Sequence, residues 1–158
     1  MIDVEKYLQK HDIAYTLHEH PAVFTCDQAE QYCGDIPGMA CKNLFLKGGK
    51  TKKYFLVVLP ASKRADLKEI AKVLGENKVS FGSAESLQEK LGLEPGAVSP
   101  FGLLNDKNTQ VGLVVDREVY DAEVVSFHPN RNTATIEISK EMFHRYLDSL
   151  DHVAQIMG

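Results

Sequence analysis

Tyr54-Phe55-Leu56-Val57-Val58-Leu59 is the segment that leaves this chain the fewest options. Its apolar residues run without a break and are rich in aromatic and β-branched types, the composition of a strand. Side chains of a strand alternate between the two faces of a sheet. A run with no polar member therefore needs cover on both faces, which predicts a central strand with other elements packed above and below it.

The flanking segments supply that cover. Residues 3–11 predict a helix capped by Asp3, with Val4, Tyr7 and Leu8 on one face. Thr25-Cys26-Asp27-Gln28 is a capping box that opens a second helix. Asp66 and Glu69 form another capping pair for a helix reaching Leu74, with Gly75 just past its end. Ser83 or Ser86 caps a short helix to Leu91, and Ser139 caps a last one with Met142, Phe143, Tyr146 and Leu150 inward. Strands are expected at 15–20, 41–46, 111–115, 122–127 and 133–138. Leu93 to Gly102 holds two prolines and two glycines in ten residues and predicts irregular structure. Most strands follow one another through turns, with helices around them. The expected fold is α+β, with a mixed, largely antiparallel sheet of about six to seven strands and surrounding helices. With 158 residues, the chain fits a single domain spanning 1–158.

Several classes are excluded. No apolar run approaches the ~18 residues of a membrane span, and the acidic start Met1-Ile2-Asp3-Val4-Glu5 is no secretion signal. Cysteines at 26, 33 and 41 fit neither CxxC nor a zinc spacing, so reduced thiols in the cytoplasm are expected. No metal or other cofactor is expected, and no DNA partner.

Charge is unevenly distributed. The net charge is −4, yet residues 42–72 carry nine of the 18 lysines and arginines against only Asp66 and Glu69, a local +7. A basic zone on an acidic protein fits either a polyanionic partner or a solvated hairpin.

Three places carry candidate chemistry. Lys42 shares a strand face with Leu44 and Leu46. It is either a lysine reaching out from the strand end or an ammonium awaiting an anion. Asn43 faces the opposite side unless the strand is bulged. The loop Gly96-Ala97-Val98-Ser99-Pro100 is either a tight connection or a cradle whose amides meet a carbonyl or phosphate. His128, held extended by Pro129, either bonds the backbone or meets a ligand. His18, His20 and Cys26 lack a fourth metal ligand. No G-x-S-x-G elbow occurs, and Cys41 beside Lys42 is the nearest approach to an activated thiol.

Lys42-Asn43-Leu44-Phe45-Leu46, the run Pro95 to Leu103, Phe127-His128-Pro129-Asn130 and Asn132-Thr133-Ala134-Thr135 together resemble the YbaK/prolyl-tRNA synthetase-associated domain family. His20-Pro21 followed by Val23-Phe24-Thr25 fits the same pattern. The resemblance spans nearly the whole chain and is nearest to the free-standing alanyl-tRNA(Pro) deacylases. It implies a trans-editing enzyme that hydrolyses mischarged tRNA to free amino acid and tRNA. By the same resemblance Lys42 holds the terminal nucleotide, Asn43 contacts the reacting ester, and Gly96 to Pro100 (Ala97, Val98 and Ser99 between them) orients its carbonyl. His128 stands at the pocket wall, and Phe24 and Thr25 line the site. The basic residues Lys47, Lys50, Lys52, Lys53, Lys63 and Arg64 would then meet acceptor-stem phosphates. The implied partners are mischarged tRNA, tRNA(Pro) foremost, and prolyl-tRNA synthetase. Cysteinyl- or seryl-tRNA deacylation, or a non-catalytic tRNA- or synthetase-binding module, are the alternatives.

Overall fold

The computed structural model describes residues 2–23 and 26–158. Phe24 and Thr25 lie outside the described residues. The order is α1 (Val4–Lys10), β1 (Thr16–Glu19), α2 (Cys26–Cys33), β2 (Met39–Gly48), β3 (Tyr54–Pro60), α3 (Leu67–Leu74), β4 (Val79–Phe81), α4 (Ala84–Leu91), β5 (Val111–Asp116), α5 (Arg117–Asp121), β6 (Val124–Phe127), β7 (Ala134–Ser139), α6 (Lys140–Ser149) and β8 (Ala154–Met157). The strands form one mixed sheet in the order β1-β7-β6-β2-β3-β5-β8, with β4 beside β2. β2 pairs antiparallel with β3 and β4, β7 antiparallel with β1 and β6, and the remaining pairings are parallel.

β3 is the doubly covered strand its sequence demands: Leu56, Val57, Val58 and Leu59 are all at most 2% exposed. Leu56 and Val58 join the larger core under α1, α4 and α6. Val57 and Leu59 join a second core under α3, with Leu46, Ile70, Ala71, Val79 and Val114. The sheet thus separates two apolar layers, and each residue of β2 is assigned to one by its parity.

The helix signals were obeyed. Asp3, Asp66, Ser83 and Ser139 each accept a first-turn amide of the helix they precede, and Gly75 closes α3 in the left-handed conformation that glycine tolerates. The sheet gains β4 and β8, two short strands that no alternation announced. β4 has three residues, and Asp151-His152 break the chain just before β8. Residues 117–121 form α5, so β6 starts two residues later than its pattern indicated. The Pro/Gly-rich stretch is not irregular throughout. Pro95–Ala97 and Pro100–Asn105 are two 3-10 turns, each with proline in the first position, where its missing N–H costs nothing.

Candidate active site

β2 is ten residues long but incompletely paired. Cys41 to Lys47 pair with β3 on one edge; on the other, β6 takes only Met39 and Ala40, and β4 takes Leu46 to Gly48. Between β6 and β4 the edge of β2 at residues 41–44 faces no strand among the described residues. A cavity of about 250 Å³ lies at this opening, walled by Cys41 and Asn43 of β2, Phe127 and His128 at the end of β6, Thr135 of β7, and Ile36 beyond α2. It is smaller than a typical drug-sized pocket of ~300–1,000 Å³, so it suits the end of a ligand rather than the whole of one.

Asn43 sits opposite Val58, and its Oδ1 is fully buried with no hydrogen-bond partner. Burying an unsatisfied carbonyl costs roughly 1–3 kcal/mol, and this one belongs to a residue that lines the cavity. His128 closes the opposite wall. Its Nδ1 lies 2.8 Å from the Ala134 carbonyl, which can only accept, so Nδ1 carries the proton. Burial, opposed by that hydrogen bond and aided by nearby His20, pushes the imidazole below its usual value of 6.5. The ring is therefore neutral near pH 7, and its Nε2 offers a lone pair.

His20 stands 6.1 Å from His128, ring to ring. Its Nδ1 meets the Pro21 carbonyl at 2.8 Å and its Nε2 the Thr135 hydroxyl at 2.8 Å. Cys33 Sγ lies 3.5 Å from the same Nε2. The Pro21 carbonyl can only accept, so Nδ1 of His20 donates to it. Thr135 and Cys33 were not singled out by the sequence as candidate site residues. Their signal is three-dimensional, since β1 and β7 must pair before His20 reaches Thr135. His18 faces Glu137 at 2.9 Å rather than its neighbour His20. Cys41 is no nucleophile: burial pushes its thiol up to about 12, so it remains protonated.

The turn after β6 fastens the proline-rich loop beside this wall. Asn130 takes the left-handed conformation at φ 63°, which asparagine tolerates. Its Oδ1 accepts from the Ser99 hydroxyl at 3.0 Å and its Nδ2 donates to the Phe101 carbonyl at 3.3 Å. Ser99 is fully buried and also accepts the Phe101 amide, so it acts as a clasp. The Tyr146 hydroxyl donates to the Pro100 carbonyl at 2.8 Å from α6. Asn132 ties the chain before α2 to the same turn through the Val23 carbonyl.

The family model that matches residues 20–146 is that of the aminoacyl-tRNA editing domain. This chain belongs to that family. Among curated relatives of the editing domain, the prolyl-tRNA editing protein ProX of Acetoanaerobium sticklandii is 40% identical over 129 residues, covering 82% of this chain and 79% of ProX. The prolyl-tRNA synthetase associated domain-containing protein 1 of Danio rerio is 31% identical, covering 99% of this chain and 85% of its own. A crystal structure described as a candidate trans-editing enzyme for prolyl-tRNA synthetase superposes with TM-score 0.74 at 22% identity, over 98% of this chain and 92% of that one, and supports the fold.

The editing-domain motif residues do not all converge. Asn43 and His128 share the cavity. Gly96 is exposed, Val98 half-buried, and Ala97, Ser99 and Pro100 buried. The loop is fastened to the His128 turn but does not line the cavity. The Ala97 amide is taken by the Glu94 carbonyl, so the picture of three free amides needs correcting at that residue. Lys42 pairs in unbroken register with Leu59, so no bulge brings it to the Asn43 side. It is half-buried on the α3 face at the open edge, with no ion pair or hydrogen bond among the described residues. Lys50, Lys52 and Lys53 are exposed in the β2–β3 hairpin. Lys47 Nζ lies 5.6 Å from the centre of the Tyr54 ring. Lys63 is committed to Asp116 at 2.8 Å and Glu118 at 3.3 Å, and the Asp116 hydrogen bond raises its pKa. Arg64 borders a neighbouring groove with Asp66 and Glu69. No helix among the described residues is long and apolar enough to cross a membrane.

Proposed function

We propose that this editing domain hydrolyses the ester of alanyl-tRNA(Pro), releasing alanine and tRNA(Pro) in the cytoplasm, with prolyl-tRNA synthetase as the enzyme whose errors it corrects. The observation that carries the reading is the unsatisfied Asn43 carboxamide facing a neutral His128 across a small cavity at an open strand edge. Buried polar groups without partners are rare in native proteins and mark places where something else supplies the partner. A synthetase pocket built for proline discriminates against a smaller amino acid by only about 1–3 kcal/mol. A second, tighter cavity inverts the test by size, accepting alanine and refusing proline.

The chemistry asks little of the protein, because the ester is already activated. Water attacks the carbonyl carbon, and the vicinal ribose hydroxyl of the substrate takes the water's proton as it passes its own to the departing ribose oxygen, whose bond to the carbonyl carbon breaks. The orphaned Asn43 Oδ1 accepts from the ammonium group of the substrate's amino acid, and its Nδ2 donates to the oxygen on which charge develops, a contribution of about 10²–10³ in rate for a well-placed donor. The His128 Nε2 accepts from the substrate, and Lys42 at the edge meets its last phosphate. Lys50, Lys52 and Lys53, exposed in the hairpin, meet acceptor-stem phosphates, with Lys47, Arg64 and the partly committed Lys63 as further basic contacts.

A panel of charged tRNAs tests this. Alanyl-tRNA(Pro) should be deacylated fastest and prolyl-tRNA(Pro) left intact. Faster release of serine, threonine or cysteine reassigns the substrate, and no release from any ester overturns the enzyme. Lys42→Ala should retain the fold and lose hydrolysis. A substrate with a deoxy terminal ribose should react far more slowly, and an unchanged rate would place the base on the protein.

A further inference from the structure

Phe81, at the end of β4, is 62% exposed, the most exposed phenylalanine or tyrosine among the described residues. The register explains how it becomes bare. Phe81 and Val79 point from the same side of β4. Val79 packs under α3 with Ile70 and Ala71, whereas Phe81, opposite Leu46, projects beyond that cover. A single exposed ring is unremarkable by itself; its surroundings are what give it meaning.

α3 has two flanks. Glu69 borders the groove of Asp116 and Met157, and the Val73 carbonyl accepts from Gln155 of β8, so that flank faces β8. Lys68 and Lys72, one turn apart on the other flank, face the β4 side. Both are exposed, as is Lys78 just before β4. None of these three ammonium groups, nor that of Lys42, pairs with a carboxylate among the described residues. The ring thus stands on the same face as Lys42, Lys68 and Lys72, three lysines left without anions, beside the open edge of β2.

A basic track with an aromatic face is the arrangement that holds single-stranded nucleic acid, phosphates on the cations and a base on the ring. Phe81 lies opposite Leu46, three positions along β2 from Asn43, which is about 10 Å, and on the other face of the sheet. With the ester at Asn43, a tail that rounds the open edge of β2 brings nucleotides upstream of the terminal one to the ring. We propose that Phe81 is a stacking platform for the unpaired 3′ nucleotides of the tRNA, with Lys68 and Lys72 holding their phosphates. This rests on the deacylase reading for the identity of the RNA, and assigns a surface which that reading leaves open.

The test uses the full chain and an RNA acceptor hairpin whose unpaired 3′ tail carries 2-aminopurine, with hydrolysis of alanyl-tRNA(Pro) measured in parallel. Wild-type protein should change the probe's fluorescence on binding. Phe81→Ala and Phe81→Leu should both lose about tenfold in affinity and lose that change, while Phe81→Trp keeps both. The Leu variant separates stacking from mere apolar contact. Lys68→Gln with Lys72→Gln should lower the salt-dependence slope by about 1.5. Unaltered binding and fluorescence in Phe81→Ala would overturn the platform, as would wild-type protein that does not bind the hairpin. A change in sedimentation in place of RNA affinity would overturn it too, assigning the ring to a second copy of this chain. Intact stacking without hydrolysis overturns the deacylase reading alone; hydrolysis with stacking indifferent to residue 81 overturns the platform alone.

Discussion

The two ends of β2 treat buried polar groups in opposite ways. At the hairpin end, the Glu76 carboxylate is 8% exposed and fully engaged: it accepts the Lys50 and Thr51 amides and the Thr51 hydroxyl. The Thr51 hydroxyl, ahead of the two amides and the Lys50 charge, holds Glu76 below its usual 4.5. The carboxylate fits because residue 48 is glycine; a Cβ there would stand 2.3 Å from the Glu76 carboxyl carbon. At the other end Asn43 has an orphaned oxygen and a cavity in front of it. One end satisfies itself and builds structure. The other is left unfinished.

The sharpest attack on this contrast is Asn43→Ala. It should lower kcat/KM for alanyl-tRNA(Pro) by about 10²-fold or more while leaving Tm unchanged or slightly raised, because an unsatisfied group disappears. A parallel fall in stability would show that Asn43 serves the fold. His128→Gln comes next, with a loss of about tenfold to a hundredfold expected if Nε2 acts as an acceptor. Its pH signature follows from the lowered imidazole. Above about pH 6.5, the ordinary value, folded and unfolded chains both hold the ring neutral. Below it the unfolded chain takes up the proton first, so stability falls until the folded ring protonates as well. Urea titrations from pH 8 to 5 should show that fall in wild type and less of it in His128→Gln.

Thr51→Ala works at the finished end. It should lower Tm by a few degrees with little change in the deacylation rate, reversing the Asn43 pattern. Because Glu76 is held low, its contribution is present above its unfolded value near 4.5 and is lost as pH falls through the folded value, so the Tm difference should shrink in acid. The smallest effect belongs to Lys50→Glu and Lys53→Glu. Each should weaken tRNA binding a fewfold at low salt and hardly at all at high salt. Filter binding at two ionic strengths distinguishes this from a general loss of fold.

Local signals carried the fold far. The doubly apolar β3 announced a covered central strand, and the caps at Asp3, Asp66, Ser83 and Ser139 were written in adjacent residues. β4 and β8 were not legible, because three or four residues carry too little periodicity and owe their conformation to the strands they join. The site divides along the same line. Asn43 and His128 were visible through motif and strand parity, and parity also places Lys42 on the other face. The Thr135–His20 contact, the Ser99–Asn130 clasp and the pairing of Lys63 with Asp116 join residues far apart in sequence. No window along the chain contains them.

The joining of β1 to β7 has a consequence for biogenesis. His20 and Thr135 are 115 positions apart, so one wall of the cavity cannot close on a nascent chain until β7 has cleared the ribosome. During synthesis the early strands wait with half a pocket, and a corrector of translation errors is inert until its own translation is nearly done.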